Sequence, residues 1–155
     1  MSYVDQNLMP GEEVKYRAKL HWIIYVAPVL LGLLGLILLV SSAGNRGSPP
    51  AFTIVCVLVL LVAGLMFLSR WITVITSEFA VTNKRVIIKV GLIRRHTLEL
   101  LLAKVESIGV DQGIMGRILG YGRIIVIGTG GTREPFNKIE QPLEFRKQVQ
   151  AHAVA

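Results

Sequence analysis

Two uninterrupted apolar runs, Leu20 to Val40 and Ala51 to Leu68, follow one another in the first half of the chain. An α-helix rises about 1.5 Å per residue, so roughly 20 apolar residues cross a hydrocarbon core of about 30 Å. Neither run contains Asp, Glu, Lys or Arg. Burying two wholly apolar helices inside a soluble domain would take more protein than 155 residues supply. The expected organisation is a cytoplasmic segment over 1–19, transmembrane helices over 20–40 and 51–69, a loop over 41–50, and a cytoplasmic domain over 70–155. The loop carries Gly44, Gly47, Pro49 and Pro50, which stop the first helix and turn the chain back.

Charge orients this hairpin. Lys15, Arg17 and Lys19 precede the first run, and Arg70, Lys84 and Arg85 follow the second, whereas the loop holds only Arg46. Both termini are therefore expected in the cytoplasm, as for a multi-pass membrane protein. Trp22, Tyr25 and Trp71 fall where amphipathic rings favour the headgroup layer and are read as interface anchors, with His21 at the same boundary. A cleavable signal would end near Ser41-Ser42-Ala43, but its apolar stretch would be about twice the usual length. Gly32, Gly35, Ala63 and Gly64 are small enough to let the two helices approach closely. Apart from Thr53, Cys56 and helix-end serines the runs offer nothing to line a conduction path.

After Trp71 the pattern changes to short β-rich runs. Strands are expected near 71–81, 85–90, 94–100, 104–111, 123–128 and 136–139, with turns at Asn83-Lys84 and Gly91-Leu92. Alternation in Arg85 to Val90 predicts one buried and one charged face. Ile114, Met115, Ile118 and Leu119 suit one or two helical turns over the sheet. Pro142 opens a last helix with Leu143, Phe145 and Val149 as its apolar stripe.

The stretch Val81-Thr82-Asn83-Lys84-Arg85 through Gly91-Leu92 to Arg94-Arg95, then Leu101 to Val110, then Gly113-Ile114-Met115-Gly116-Arg117-Ile118-Leu119-Gly120-Tyr121-Gly122, resembles the membrane-anchored branch of the bacterial pleckstrin-homology (PH) domain family. The resemblance covers roughly residues 70–149 and implies an α+β chain. Its two-helix hairpin would precede a PH-like antiparallel barrel or sandwich capped by a C-terminal helix. It implies no particular activity, because one fold hosts many functions.

No catalytic residue, cofactor or metal site is expected. The lone cysteine, Cys56, permits no internal disulfide. His21, His96 and His152 lack metal-ligand spacing. Glu99, Glu106 and Asp111 read as exposed strand positions, and Gly128 to Thr132 reads as a turn that lacks the Lys of a phosphate-binding loop.

From Arg70 onward 13 Lys and Arg face 7 Asp and Glu, so the soluble half carries nearly all of the net charge of +7. A strand leaving the membrane at Trp71 would put the Asn83-Lys84 turn on the order of 30 Å away. The next strand would bring Arg94 and Arg95 back to the headgroups as candidate lipid contacts. A phosphoinositide-binding PH domain uses a longer basic first hairpin than this one. Without a recognition helix or interleaved exposed aromatics, nucleic acid is not an expected partner. The leading expectation is a non-enzymatic scaffold that binds itself or another membrane protein. Its contacts would be sheet edges or the candidate interface Ile114, Met115, Ile118 and Leu119. The alternatives are a sensor of anionic lipid and an accessory subunit of a transport complex.

Overall fold

The computed structural model describes residues 3–44, 49–92, 96–129, 131 and 133–153. In chain order the elements are α1 (Tyr3–Gln6), β1 (Val14–Ala18), a 3₁₀ turn (Trp22–Tyr25), α2 (Val26–Gly44) and α3 (Pro50–Thr76). There follow β2 (Glu78–Thr82), β3 (Arg85–Val90), β4 (His96–Leu101), a 3₁₀ turn (Leu102–Lys104) and β5 (Val105–Asp111). The chain closes with α4 (Ile114–Leu119), β6 (Tyr121–Gly128), β7 (Arg133–Glu140) and α5 (Pro142–Ala153). Two compact units result, Trp22–Ile72 and the union of Met1–His21 with Thr73–Ala155.

In the helical unit, Gly32 lies 3.7 Å from Ala63 and Gly35 lies 3.1 Å from Val59 and Leu60, taking each glycine's distance from where a Cβ would stand. Ser42 and Thr53 hydroxyls share a hydrogen bond of 3.1 Å, and Tyr25 packs on Phe67 with centroids 5.3 Å apart. Gly64 has open space instead. Both helices are long and apolar enough to cross a membrane, with mean hydropathies of 2.8 and 2.9. Most of their large side chains are exposed.

The second unit is built from two antiparallel sheets, β1-β2-β3-β4 and β5-β6-β7. Together they form a PH-like sandwich that does not close into a barrel. At one corner the chain after β1 crosses to β7: His21 N–H donates to Lys138 O at 2.7 Å, Glu140 N–H to Lys19 O at 2.9 Å, and Leu20 bridges Ile139. The core between the sheets is made by the inward positions Phe79, Val81, Val86 and Ile88 against Ile108, Ile124, Val126, Phe136 and Ile139. α5 closes it with Phe145 and Val149, both essentially inaccessible. Pro142, Phe145 and Val149 form the buried stripe of α5; Leu143, expected there, is exposed.

Several local expectations are corrected. Trp71 to Thr76 is helical, not extended. Its β-branched residues continue a helix already formed, and extension adds a hydrogen bond per residue without a new nucleus. The strand begins only at Glu78, so the path that favoured Arg94 and Arg95 as lipid contacts loses its starting point. His21 is buried against the Tyr121 ring at 5.3 Å in the sheet unit, because the corner between β1 and β7 draws it in.

The largest departure concerns residues 1–19. Val14–Ala18 is a strand of the first sheet, paired Ala18↔Phe79 and Tyr16↔Val81. The helical hairpin is thus inserted between two adjacent strands of the sheet. The outer face of β3, which carries Arg85, Ile87 and Lys89, is covered rather than solvated. Ile87 and Ala80 are buried on that side under Val4 of α1, whose first N–H groups at Tyr3 and Val4 donate to the Glu78 carboxylate at 2.9 and 3.0 Å.

Candidate interaction surface

The turn from Thr82 to Arg85 grips the N-terminal segment. Arg85 Nε donates to Glu12 Oε1 at 2.9 Å and Nη2 to Glu12 Oε2 at 3.0 Å, a bidentate pair. Arg85 also donates to Glu99 Oε2 and to Asn7 O, each at 2.5 Å. The Thr82 hydroxyl donates to Glu12 Oε1 at 2.7 Å and accepts from the Arg85 N–H at 3.0 Å. Asn83 adds a backbone-like clasp: its Oδ1 accepts from Glu13 N–H at 3.0 Å and its Nδ2 donates to Gly11 O at 3.1 Å. Lys84 Nζ donates to Pro10 O at 2.9 Å.

The Glu12 side chain is fully buried and that of Arg85 nearly so. Burial pushes the Glu12 carboxyl up, but hydrogen bonds from Arg85, Met9 N–H and Thr82, with the Arg85 charge, outweigh it and hold Glu12 below the usual carboxylate range. Glu12 hydrogen bonding raises the Arg85 pKa further. Neither residue is available to a ligand. The part of the basic run that includes Arg85 is therefore structural, and Glu99 is an ion-pair partner rather than a merely solvated strand position.

The Gly-rich motif of residues 116–122 builds a different feature. A Cβ on Gly116 would stand 2.5 Å from Tyr121 O, and one on Gly122 would stand 2.7 Å from Gln112 Cγ. Only glycine lets α4 lie this close to the start of β6. Gly120 ends the helix with φ 77°, a left-handed conformation suited to glycine. Gln112 stitches the turn, donating to Tyr121 O at 3.0 Å. With its backbone held down at Gly116, α4 turns its apolar side chains outward: Ile114, Met115 and Ile118 are exposed and Leu119 is half-buried. They do not lie over the sheet as the spacing suggested.

The sequence pattern of the bacterial PH domain family matches residues 20–153. The chain belongs to this family. Among curated proteins none matches it. The matched span starts after β1, so the strand and the carboxylate that complete this PH domain lie outside the region its family pattern covers.

Of the residues singled out from sequence, the PH domain brings Ile114, Met115 and Ile118 together on α4, and they share neither element nor groove with the Arg85 cluster. Arg94 and Arg95 lie outside the described residues. In the helical unit Trp22 and Trp71 are about half exposed and Tyr25 is half-buried. No group of three or more potential metal ligands occurs among the described residues. Sequence reasoning missed Glu12. Its available signals were the Pro10-Gly11 turn, the acidic pair after it, and the alternation of Val14, Tyr16 and Ala18.

Proposed function

We propose that this chain is a membrane-anchored PH domain that works by binding, without catalysis, and that its partner is a second copy or another membrane protein. The observation that carries this reading is the open architecture of the sandwich. β4 and β5 each have a ladder partner on one side only among the described residues, and β4 presents exposed positions at His96, Thr97, Glu99 and Leu101. An edge of this kind accepts an added strand through backbone hydrogen bonds. The buried polar side chains Glu12, Thr82 and Arg85 are committed to one another, which leaves edges and exposed side chains as the working surfaces.

Anchoring is supported by length and apolarity of α2 and α3, and the basic residues flanking the hairpin favour a cytoplasmic domain in the bacterial inner membrane. Pairing of β1 with β2 supports a hairpin whose two flanks lie on one side of a bilayer, because hydrogen-bonded strands cannot be parted by it. Trp22, Tyr25 and Trp71 are assigned to the headgroup layer.

Native mass spectrometry of the full chain, gently extracted from its own membranes, tests the reading. A uniform homo-oligomer or a stoichiometric second protein is the expected result. A monomer without protein partner would overturn it.

A further inference from the structure

Ile114 and Ile118 on α4 are 81% and 72% exposed, more than any large apolar side chain described on the helical hairpin, where Leu65 is highest at 68%. Met115 beside them is 59% exposed. Arg117 rises from the same helix, and the groove along Ile114 and Met115 is walled by Arg123 and Lys138. None of these three cations enters an ion pair among the described residues. Two carboxylates lie close: Asp111 in the same groove, and Glu144 across the helix, where it accepts from Gln148 at 2.7 Å and faces Lys147 at 4.0 Å. A positive surplus remains around an apolar tip.

The tip is small. A stable protein interface uses about 20–30 residues a side, far more than a six-residue helix and its rim provide. A second copy docked about a two-fold axis would also bring two of these positively charged rims together. A bilayer needs no matching shape. Its acyl boundary takes apolar side chains, and an anionic leaflet attracts the surrounding cations.

We infer that α4 is a bilayer-docking tip, placing Ile114, Met115 and Ile118 in an anionic leaflet while Arg117, Arg123 and Lys138 meet lipid phosphates. The inference rests on the anchored reading above. Anchoring makes docking intramolecular, at an effective concentration on the order of millimolar, so a contact too weak to recruit a free domain suffices.

The test uses the full chain in nanodiscs of phosphatidylcholine, with or without phosphatidylglycerol, carrying Cys56→Ala and an environment-sensitive fluorophore on Ile118→Cys. Quenching of Trp22 and Trp71, the chain's two tryptophans, by doxyl-labelled lipid reports anchoring separately. Protection of β3 from hydrogen exchange reports folding. With tryptophans quenched, the expected result is a blue-shifted label, quenched by doxyl lipid in anionic discs. That signal should be lost in neutral discs, at high salt, and in a folded variant combining Arg117→Gln, Arg123→Gln and Lys138→Gln. Quenched tryptophans with a water-exposed label would overturn the tip and leave the anchor standing. Unquenched tryptophans would overturn both. Label shielding that rises with the number of chains per disc, whatever the lipid, would make a second copy the occupant and overturn the proposal.

Discussion

Two groups of basic residues in this PH domain look alike in sequence and differ in kind. Arg85 is buried, with its donors matched to Glu12, Glu99 and a carbonyl of the N-terminal segment. Arg117, Arg123 and Lys138 are exposed around an apolar helix with no ion-pair partner described. The difference lies in whether a distant segment returns to meet the charge. For Arg85 it does, across 73 residues. Positive charge density therefore fails as a guide to function until the carboxylates have been placed.

The sharpest way to break this contrast is Arg85→Ala, which leaves the Glu12 carboxylate buried and unpaired. Such a loss typically costs about 3–5 kcal/mol. Hydrogen exchange on the detergent-solubilised full chain should show protection falling across β2 and β3. Arg85→Leu combined with Glu12→Met should recover much of it, because apolar replacement of a whole buried pair is often close to neutral. A response to Arg85→Ala no larger than that of a surface change would erase the distinction.

Acid is a gentler probe of the same pair. Glu12 is held below its ordinary value of 4.5, so its stabilising contribution is fully present above that pH and is lost as pH falls through the depressed value. Protection of β1 should hold from neutral pH down to 4.5 and then decline. Glu12→Gln should flatten this particular step at the expense of lower protection at neutral pH. An unchanged step in that variant would assign it to another carboxylate.

The smallest effect belongs to the other group. Neutralising Arg117, Arg123 and Lys138 together should move stability by no more than about 0.5 kcal/mol each, as for surface positions without buried partners. Chemical unfolding measured beside the Arg85 variant would show it. A large loss would mean these cations, too, hold the fold.

How much was legible follows from how local each signal is. β3, β5, β6, β7 and α5 announce themselves through short-range alternation, turn residues and a Pro at the helix start, and the structure places them within a few residues of expectation. The Gly-rich motif was legible as a family resemblance, while its work, pressing α4 onto β6, needed the 2.5 Å approach at Gly116. β1 was hidden because its partner lies beyond the hairpin, and no local pattern says which strand a five-residue run joins. The outer face of β3 was misread for the same reason: Ile87 clusters with Val4, Tyr3, Leu8 and Val14, all more than seventy residues earlier. The outward aim of Ile114 and Ile118 was equally invisible, since spacing gives a helix face and not the side on which the backbone is pinned.

The insertion of the hairpin between β1 and β2 also orders the events of synthesis. At about 5–20 residues per second, β1 leaves the ribosome roughly 3–12 s before the strand it pairs with. Until then its backbone lacks its ladder partner and the Glu12 carboxylate lacks Arg85 and Thr82. Antiparallel packing of α2 and α3, once formed, brings the ends of the intervening chain together and relieves most of the closure entropy that a flexible loop of that length would impose. Completion of the PH domain thus waits until both helices have been made, and a fragment starting at Arg70 would lack a strand and carry Arg85 without Glu12, leaving Glu99 as its carboxylate partner.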